Sequence, residues 1–158
     1  ITTGRMDLDA EEMDLAETVL ECVERFFEKA KKDKVVITYK KDGKIIGKWD
    51  KLRIEQVISN LLTNAIKYGN GKPVEVHVTK HNGSAKIIVT DRGIGIPEAK
   101  LAKIFARFER AVNGQAIEGL GVGLYISQQI VQAHGGEIKV ESKETHGSTF
   151  TIILPLKQ

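Results

Sequence analysis

The chain contains 158 residues, of which 41% are hydrophobic and 28% are charged, as expected for one globular domain with a sizeable core. Its net charge of +3 is small and both signs are mixed along the chain, so we expect no nucleic-acid or membrane-surface partner. The single cysteine, Cys22, excludes an internal disulfide, and no apolar run is long enough to span a bilayer. Because the chain opens at Ile1 without a signal-peptide pattern, we expect a cytoplasmic fragment of a longer protein.

The first predicted elements are a helix and two strands. Asp14 is a favourable N-cap, and Glu17 occupies the N3 position of a capping box. The apolar stripe of this helix comprises Leu15, Val19, Cys22, Val23, Phe26 and Ala30. Residues 35–39 and 45–49 are predicted strands, and the Asp42-Gly43 turn between them predicts a hairpin.

A second helix over residues 53–68 has two distinct faces. Its continuous apolar stripe comprises Ile54, Val57, Ile58, Leu61, Leu62, Ala65 and Ile66. A separate polar row comprises Arg53, Gln56, Asn60, Asn64 and Lys67. Two amide oxygens one turn apart, followed by an ammonium, suit a hard cation and the phosphates that accompany it. The alternative is a polar helix flank with two incidental amides.

The remaining elements alternate between strands and one helix. Strands are predicted at residues 74–78 and 85–90, and the latter runs directly into Asp91. Residues 121–134 form a predicted helix that stops at Gly135-Gly136, and two closing strands follow around Ile138 and over residues 150–154. This order predicts a two-layer α/β sandwich, in which helices cover one face of a mixed, mostly antiparallel sheet.

Two glycine-rich segments indicate chemistry. In Asp91-Arg-Gly93-Ile-Gly95-Ile96 a carboxylate follows a strand, and it can accept a hydrogen bond from an exocyclic amine such as that of adenine. The alternative for this segment is a common turn. In Gly119-Leu-Gly121-Val122-Gly123-Leu124 glycines open a helix, whose N-terminal amides suit a phosphate.

Glycines before a helix also occur in dinucleotide-binding folds, where they directly follow a buried strand. In this chain about a dozen mixed residues, 107–118, precede them, a length more typical of a mobile flap over a ligand. A dinucleotide-dependent oxidoreductase is therefore an alternative that rests only on the glycines.

Taken in order, four motifs resemble the N, G1, F and G2 boxes of sensor histidine kinases. They are Asn60…Asn64-Ala-Ile-Lys67-Tyr68, Asp91-x-Gly93-x-Gly95-Ile96, Phe105-Ala-Arg-Phe108 and Gly119-x-Gly121-x-Gly123-Leu124. The chain thus resembles the ATP-binding catalytic domain of these kinases, which shares a superfamily with DNA gyrase, Hsp90 and MutL. The resemblance implies a Bergerat-type fold over residues 10–158 and a connector at residues 1–9 from a preceding helical dimerisation domain.

The resemblance also implies roles at the base end of an ATP site. Asp91 would accept from the adenine amino group, and Thr149 would share that contact through water. Tyr68 would stack on the base, although it could equally be a packing residue at a helix end. Ile96 and Leu124 would wall the pocket.

At the phosphate end, the resemblance implies that Asn64 holds Mg²⁺, with Asn60 as a further metal or water contact. Lys67 and Arg110 would contact phosphate oxygens. A lid would contain Phe105 and Phe108 at its base, or these aromatic residues would simply pack. The residues expected to form its hinge and supply amides are Gly119, Gly121, Val122 and Gly123.

Asn60 distinguishes reaction types within the superfamily. The ATP-hydrolysing relatives carry a glutamate there as general base, and an amide cannot accept a proton near neutral pH. The four histidines, His77, His81, His134 and His146, do not precede acidic residues as an acceptor histidine commonly does, and we expect surface or capping roles for them.

The resemblance therefore implies a kinase domain that binds Mg-ATP and phosphorylates a histidine on a separate dimerisation domain. The phosphate would later pass to an aspartate on a response regulator. We expect a monomeric fragment of a homodimeric parent, whose anchoring in a membrane the sequence leaves open. Two competing hypotheses are a nucleotide-gated interaction module and an ATPase of the same superfamily.

Overall fold

A layer of helices packs on a layer of strands. The computed structural model describes residues 7–69, 71–101, 104–105 and 121–156, and the side chains of residues 121–123 lie outside this description. The elements are, in order, β1 (Glu11–Asp14), α1 (Leu15–Lys32), β2 (Ile37–Lys41), β3 (Ile46–Trp49), α2 (Lys51–Tyr68), β4 (Val74–His81), β5 (Ser84–Asp91), α3 (Glu98–Leu101), α4 (Gly121–Ala133), β6 (Glu137–Lys143) and β7 (Gly147–Pro155). No helix in the described ranges is long and apolar enough to cross a membrane.

The main sheet has five strands in the order β2-β4-β5-β7-β6. Only the β2–β4 pair is parallel among its described neighbours, which confirms the prediction of a mixed, mostly antiparallel sheet. Burial alternates along the strands: Ala85, Ile87 and Val89 of β5 are buried, whereas the residues between them are partly exposed. The buried sides carry apolar residues against α1, α2 and α4, so the helices cover one face, as predicted.

Helix α2 lies at the centre of the helical layer and contacts both α1 and α4. All residues of its predicted apolar stripe are buried: Ile54, Val57, Ile58, Leu61, Leu62, Ala65 and Ile66. Asp50 caps its N-terminus by accepting from Arg53 N at 3.2 Å, and the helix ends before Gly69. Because the apolar stripe fixes the rotation of α2, it also determines where the polar row faces.

The predicted hairpin of β2 and β3 is wrong. β3 pairs instead with β1 in a separate antiparallel sheet of two strands, and β2 pairs in parallel with β4. β1 has the sequence Glu-Glu-Met-Asp, which lacks the β-branched and aromatic residues that predict a strand. The true partner of β3 was therefore not visible in the local pattern.

Other elements agree with the sequence to within a few residues. Asp14 caps α1 by accepting from Ala16 N at 3.1 Å, and Cys22 is a buried core residue. β2 begins at Ile37, two residues later than predicted, although Val35 is buried. Gly135, with φ +78°, ends α4 as expected of a glycine in the left-handed region.

His134 is buried and joins α2 to α4, so it has the capping role and not the surface role of the two that were expected. Its Nε2 accepts from Asp50 N at 3.0 Å, and its Nδ1 donates to Ile130 O at 2.8 Å. The backbone amide can only donate and the carbonyl can only accept, so these partners require the proton on Nδ1. His134 therefore satisfies the amide of the residue that caps α2, a capping role supplied from another helix.

We predict that His134→Ala destabilises the fold by about 2–3 kcal/mol, because it leaves the buried Asp50 amide unpaired and opens a cavity. Chemical denaturation measures this change. His81→Ala is the matched control at an exposed position and should change stability by less than about 0.5 kcal/mol. Equal effects of the two substitutions would contradict the assigned role.

Candidate functional site

Asp91 ends β5 at the edge of the helical layer and is 8% exposed. Its carboxylate accepts from Gly93 N at 3.0 Å and from the backbone amide of Ser148 on β7. Burial raises the pKa of Asp91 above the ordinary aspartate value, and these two backbone hydrogen bonds oppose that shift. The site thus contains a desolvated carboxyl group fixed by main-chain donors.

The segment after Asp91 fits between two neighbouring backbones. A Cβ on Gly93 would lie 2.0 Å from Tyr68 O, and one on Gly95 would lie 2.1 Å from Lys143 O. Gly95 also has φ +70°, in the left-handed region that favours glycine. The glycines that the sequence singled out are therefore required by close backbone approach.

Hydrogen bonds fasten this loop on both sides. Ile94 N donates to Tyr68 O at 3.2 Å, and Thr145 N donates to Ile94 O at 2.7 Å. The loop is consequently held between the C-terminus of α2 and the turn that joins β6 to β7.

A cavity opens between α2, this loop and β7. It is lined by Asn64, Tyr68, Asp91, Ile94, Gly95, Ile96, Pro97, Lys100, Ser148 and Phe150. The lining is mostly apolar, with the Asp91 carboxyl at the wall. This combination suits a flat, apolar ring that carries a hydrogen-bond donor on its edge.

Asn64 lies on α2 with only 5% of its surface exposed, and it lines the same cavity. Within the described part of the chain, neither its Nδ2 nor its Oδ1 has a hydrogen-bond partner. A buried unpaired polar group costs about 1–3 kcal/mol, so its retention calls for an explanation such as a ligand.

Asn60 and Lys67, the other two residues of α2 predicted to contact the phosphates or the metal, are not among the residues that line the cavity. Asn60 Nδ2 donates to Ser127 Oγ at 3.2 Å and joins α2 to α4. Lys67 is exposed, and its ammonium lies 5.5 Å from the centre of the Tyr68 ring, within range of a cation–π interaction.

Two residues predicted to contact the base, Thr149 and Leu124, are not among the residues that line the cavity, and their roles stay predictions. Thr149 pairs across the sheet with Thr90, on the face opposite to Asp91, and its hydroxyl donates to Thr90 Oγ1 at 3.5 Å. The residue opposite Asp91 is Ser148, which lines the cavity. Leu124 is fully buried in the hydrophobic core and is not a lining residue, because it faces inward from the start of α4.

Several lining residues were not predicted from the sequence: Ile94, Pro97, Lys100, Ser148 and Phe150. Ser148 could have been found from strand register, since side chains directly opposite each other share a face. That register becomes known only once β5 and β7 are paired.

The lid positions are described in part. Phe108, Arg110 and Gly119 lie outside the described residues, whereas Phe105 is partly buried and packs against the core. Gly121, Val122 and Gly123 form the first turn of α4. Their predicted roles toward phosphate remain predictions.

A family model described as histidine kinase-, DNA gyrase B- and HSP90-like ATPase matches residues 49–158. The match includes α2, the loop after Asp91 and β7, the elements between which the cavity opens. The chain therefore belongs to this family of ATP-binding domains, which implies a nucleotide site.

Similar proteins include sensor histidine kinases. Sensor histidine kinase WalK of Bacillus subtilis is 39% identical over 69% of this chain, and the match covers 19% of WalK. Signal transduction histidine-protein kinase AfsQ2 of Streptomyces coelicolor is 34% identical over 97% of this chain and 27% of its own length. The chain thus spans about a fifth to a quarter of these relatives.

Solved structures show the same fold. The catalytic domain of histidine kinase ThkA superposes with a TM-score of 0.84 at 28% identity, covering 96% of this chain and 100% of that domain. The mycobacterial sensor histidine kinase MprB gives a TM-score of 0.80 at 26% identity, with 93% and 99% of the two chains covered.

Because the Asp91 carboxyl is desolvated, we predict that Asp91→Asn has opposite effects on the stability of the free protein and on its affinity for an adenine nucleotide. At neutral pH the substitution removes a buried charge while an amide oxygen can still accept from Gly93 N, so the melting temperature of the free protein should be maintained or raised. Adenine-nucleotide affinity should fall by about 1.5–3 kcal/mol, the scale of a hydrogen bond to a charged group.

Melting curves and calorimetric titration measure the two effects. Because the pKa of Asp91 is raised on folding, its contribution to wild-type stability declines as pH rises above the ordinary aspartate pKa, and this decline should be absent in the variant. Unchanged nucleotide affinity would remove Asp91 from the binding site.

Proposed function

We propose that this chain is the ATP-binding catalytic domain of a two-component sensor histidine kinase. It binds Mg-ATP and donates the γ-phosphate to a histidine on a separate dimerisation domain, from which the phosphate passes to an aspartate of a response regulator. The observation that carries this proposal is the unpaired, buried amide of Asn64 in the same cavity as the desolvated carboxyl of Asp91. The amide of Asn64 suits a cation with its phosphates, and the carboxyl of Asp91 suits the amino group of adenine.

At the base end, the apolar walls replace water around the purine ring and leave its polar edge to the carboxylate. Tyr68 lines the cavity and offers its ring for stacking, while Ile96 supplies an apolar wall. Asp91 accepts from the exocyclic amine and cannot donate, so it favours adenine over a base with an oxo group at that position.

At the phosphate end, Asn64 is the residue that fits a cation. A neutral amide oxygen is a suitable Mg²⁺ ligand when phosphates and water complete the coordination, and no cluster of histidine, cysteine or acidic side chains among the described residues offers another metal site. Bound Mg²⁺ would neutralise phosphate charge. Lys67 and, outside the described residues, Arg110 would contact phosphate oxygens, and the amides at Gly119, Gly121, Val122 and Gly123 would add donors.

Transfer to a protein acceptor is favoured over hydrolysis by Asn60. Its Nδ2 donates to Ser127, and its amide cannot act as a general base toward water. Phosphoryl transfer requires mostly positioning and charge neutralisation, which the proposed phosphate contacts would supply to an incoming histidine.

The proposed partners lie outside this chain. A solved structure of ThkA with response regulator protein TrrA includes a domain of this fold, which matches 93% of this chain at 28% identity. By analogy, we propose residues 10–158 as the catalytic domain, residues 1–9 as the connector to a helical dimerisation domain, and a cytoplasmic location. The chain itself would be a monomer and its parent a homodimer.

Asn64→Ala tests the cation role. Affinity for ATP in the presence of Mg²⁺ should fall about tenfold, whereas metal-free ATP should bind nearly as tightly as before. Titration calorimetry with and without Mg²⁺ measures both values. Ser59→Ala, on the same helix outside the cavity lining, is the control and should bind like the wild type. Equal losses with and without Mg²⁺ would remove the metal role.

Phosphoryl transfer is tested by adding labelled ATP to the chain alone and to the chain fused to a dimerisation domain that carries an acceptor histidine. We expect acid-labile, histidine-linked label only in the fusion, and its loss in the fusion with Asn64→Ala. Steady ATP hydrolysis by the chain alone would instead support an ATPase. Nucleotide binding without phosphohistidine in the fusion would favour an interaction module.

A further inference from the structure

Ser142 on β6 forms hydrogen bonds to three groups through one hydroxyl, and two of these groups belong to residues that line the cavity. Ser142 Oγ accepts from Ile96 N at 2.7 Å, donates to Gly147 O at 3.0 Å and lies 2.7 Å from Ser148 Oγ. Both Ile96 and Ser148 line the cavity, and both are less than 10% exposed. Ser142 is not a lining residue, so any effect it has on a ligand acts through these neighbours.

The partners of Ser142 determine the direction of each hydrogen bond. A hydroxyl has one proton, and Gly147 O can only accept, so the Ser142 proton is directed to that carbonyl. Ser148 must then donate its own proton to Ser142 Oγ. With its proton used in this way, Ser148 Oγ presents only acceptor lone pairs to the cavity.

Ser148 lies directly across the sheet from Asp91. Side chains opposite each other on antiparallel strands are about 5 Å apart at Cβ. The Asp91 carboxylate and the Ser148 hydroxyl therefore lie side by side and form one edge of the cavity. While Ser142 takes the Ser148 proton, both members of this edge are acceptors. Such an edge suits a ligand group with two protons, such as an exocyclic amine, and disfavours an oxo group.

We propose that Ser142 is a positioning residue that sets base specificity: it fixes the loop at Ile96 and keeps Ser148 as a hydrogen-bond acceptor beside Asp91. This inference rests on the proposed nucleotide site and goes beyond it, since Ser142 itself touches no ligand. Removing the Ser142 hydroxyl frees the Ser148 proton, which can then be donated to an oxo group. The ratio between the affinities for amino and oxo purines should therefore become smaller. A general loss of stability would not change this ratio.

Calorimetric titrations with ATP and with inosine triphosphate, whose base has an oxo group in place of the amine, test the proposal. Ser142→Ala should weaken ATP binding about threefold to tenfold and weaken inosine triphosphate binding less, so that the affinity ratio narrows. Ser142→Thr retains the hydroxyl and should keep the wild-type ratio. Thr151→Ala, on the partly exposed face of β7 away from the cavity, is the control and should change neither affinity.

Hydrogen exchange of the Ile96 amide in the nucleotide-free protein provides a second readout. Exchange should be faster in Ser142→Ala than in the wild type, with Ser142→Thr close to the wild type. Should Ser142→Ala fail to fold, Ser148→Ala removes the acceptor itself and should narrow the same affinity ratio.

The outcomes separate this inference from the proposed function. Equal losses for the two nucleotides, or unchanged protection of Ile96, would overturn the role of Ser142 and leave the ATP site intact. Failure of the wild-type chain to bind either nucleotide would overturn the proposed function and the specificity role together.

Discussion

The buried carboxyl of Asp91 is the constraint on which the site depends. It is held at the end of β5 by amides of Gly93 and Ser148, and burial keeps its pKa above the ordinary value. Burial disfavours the charge more than the two amides offset, so a further donor from a ligand would stabilise the charged form. The glycine loop, the turn after β6 and the C-terminus of α2 all serve to enclose it.

The central elements could be predicted because their patterns are local and strong. The apolar stripe of α2 and the alternation in β5 specify both the element and its buried face. The pairing of β2 and β3 could not be predicted, because the true partner of β3 is the polar segment Glu11–Asp14 and that of β2 lies beyond a helix. Strand partners are a tertiary property, whereas a turn such as Asp42-Gly43 is only a local preference.

Residues of the site could be predicted where the side chain itself indicates the chemistry, as a carboxyl, an amide or an aromatic ring does. Asp91, Asn64 and Tyr68 were selected from their motifs, and all three line the cavity. The lining residue Ser148 was not predicted: it is the neighbour of the predicted Thr149, and successive residues on a strand face opposite sides of the sheet. Supporting contacts were not visible at all: Ser142 and His134 act through partners distant in the sequence, such as Ile96 and Asp50.

The most direct test of this account is the titration of the Asp91 carboxyl by carboxyl-carbon NMR, with and without saturating ADP. In the free protein its pKa should lie above the ordinary aspartate value because the group is desolvated, and nucleotide should lower it because the adenine amine donates to the charged form. An ordinary pKa in the free protein, or one that nucleotide leaves unchanged, would contradict the account.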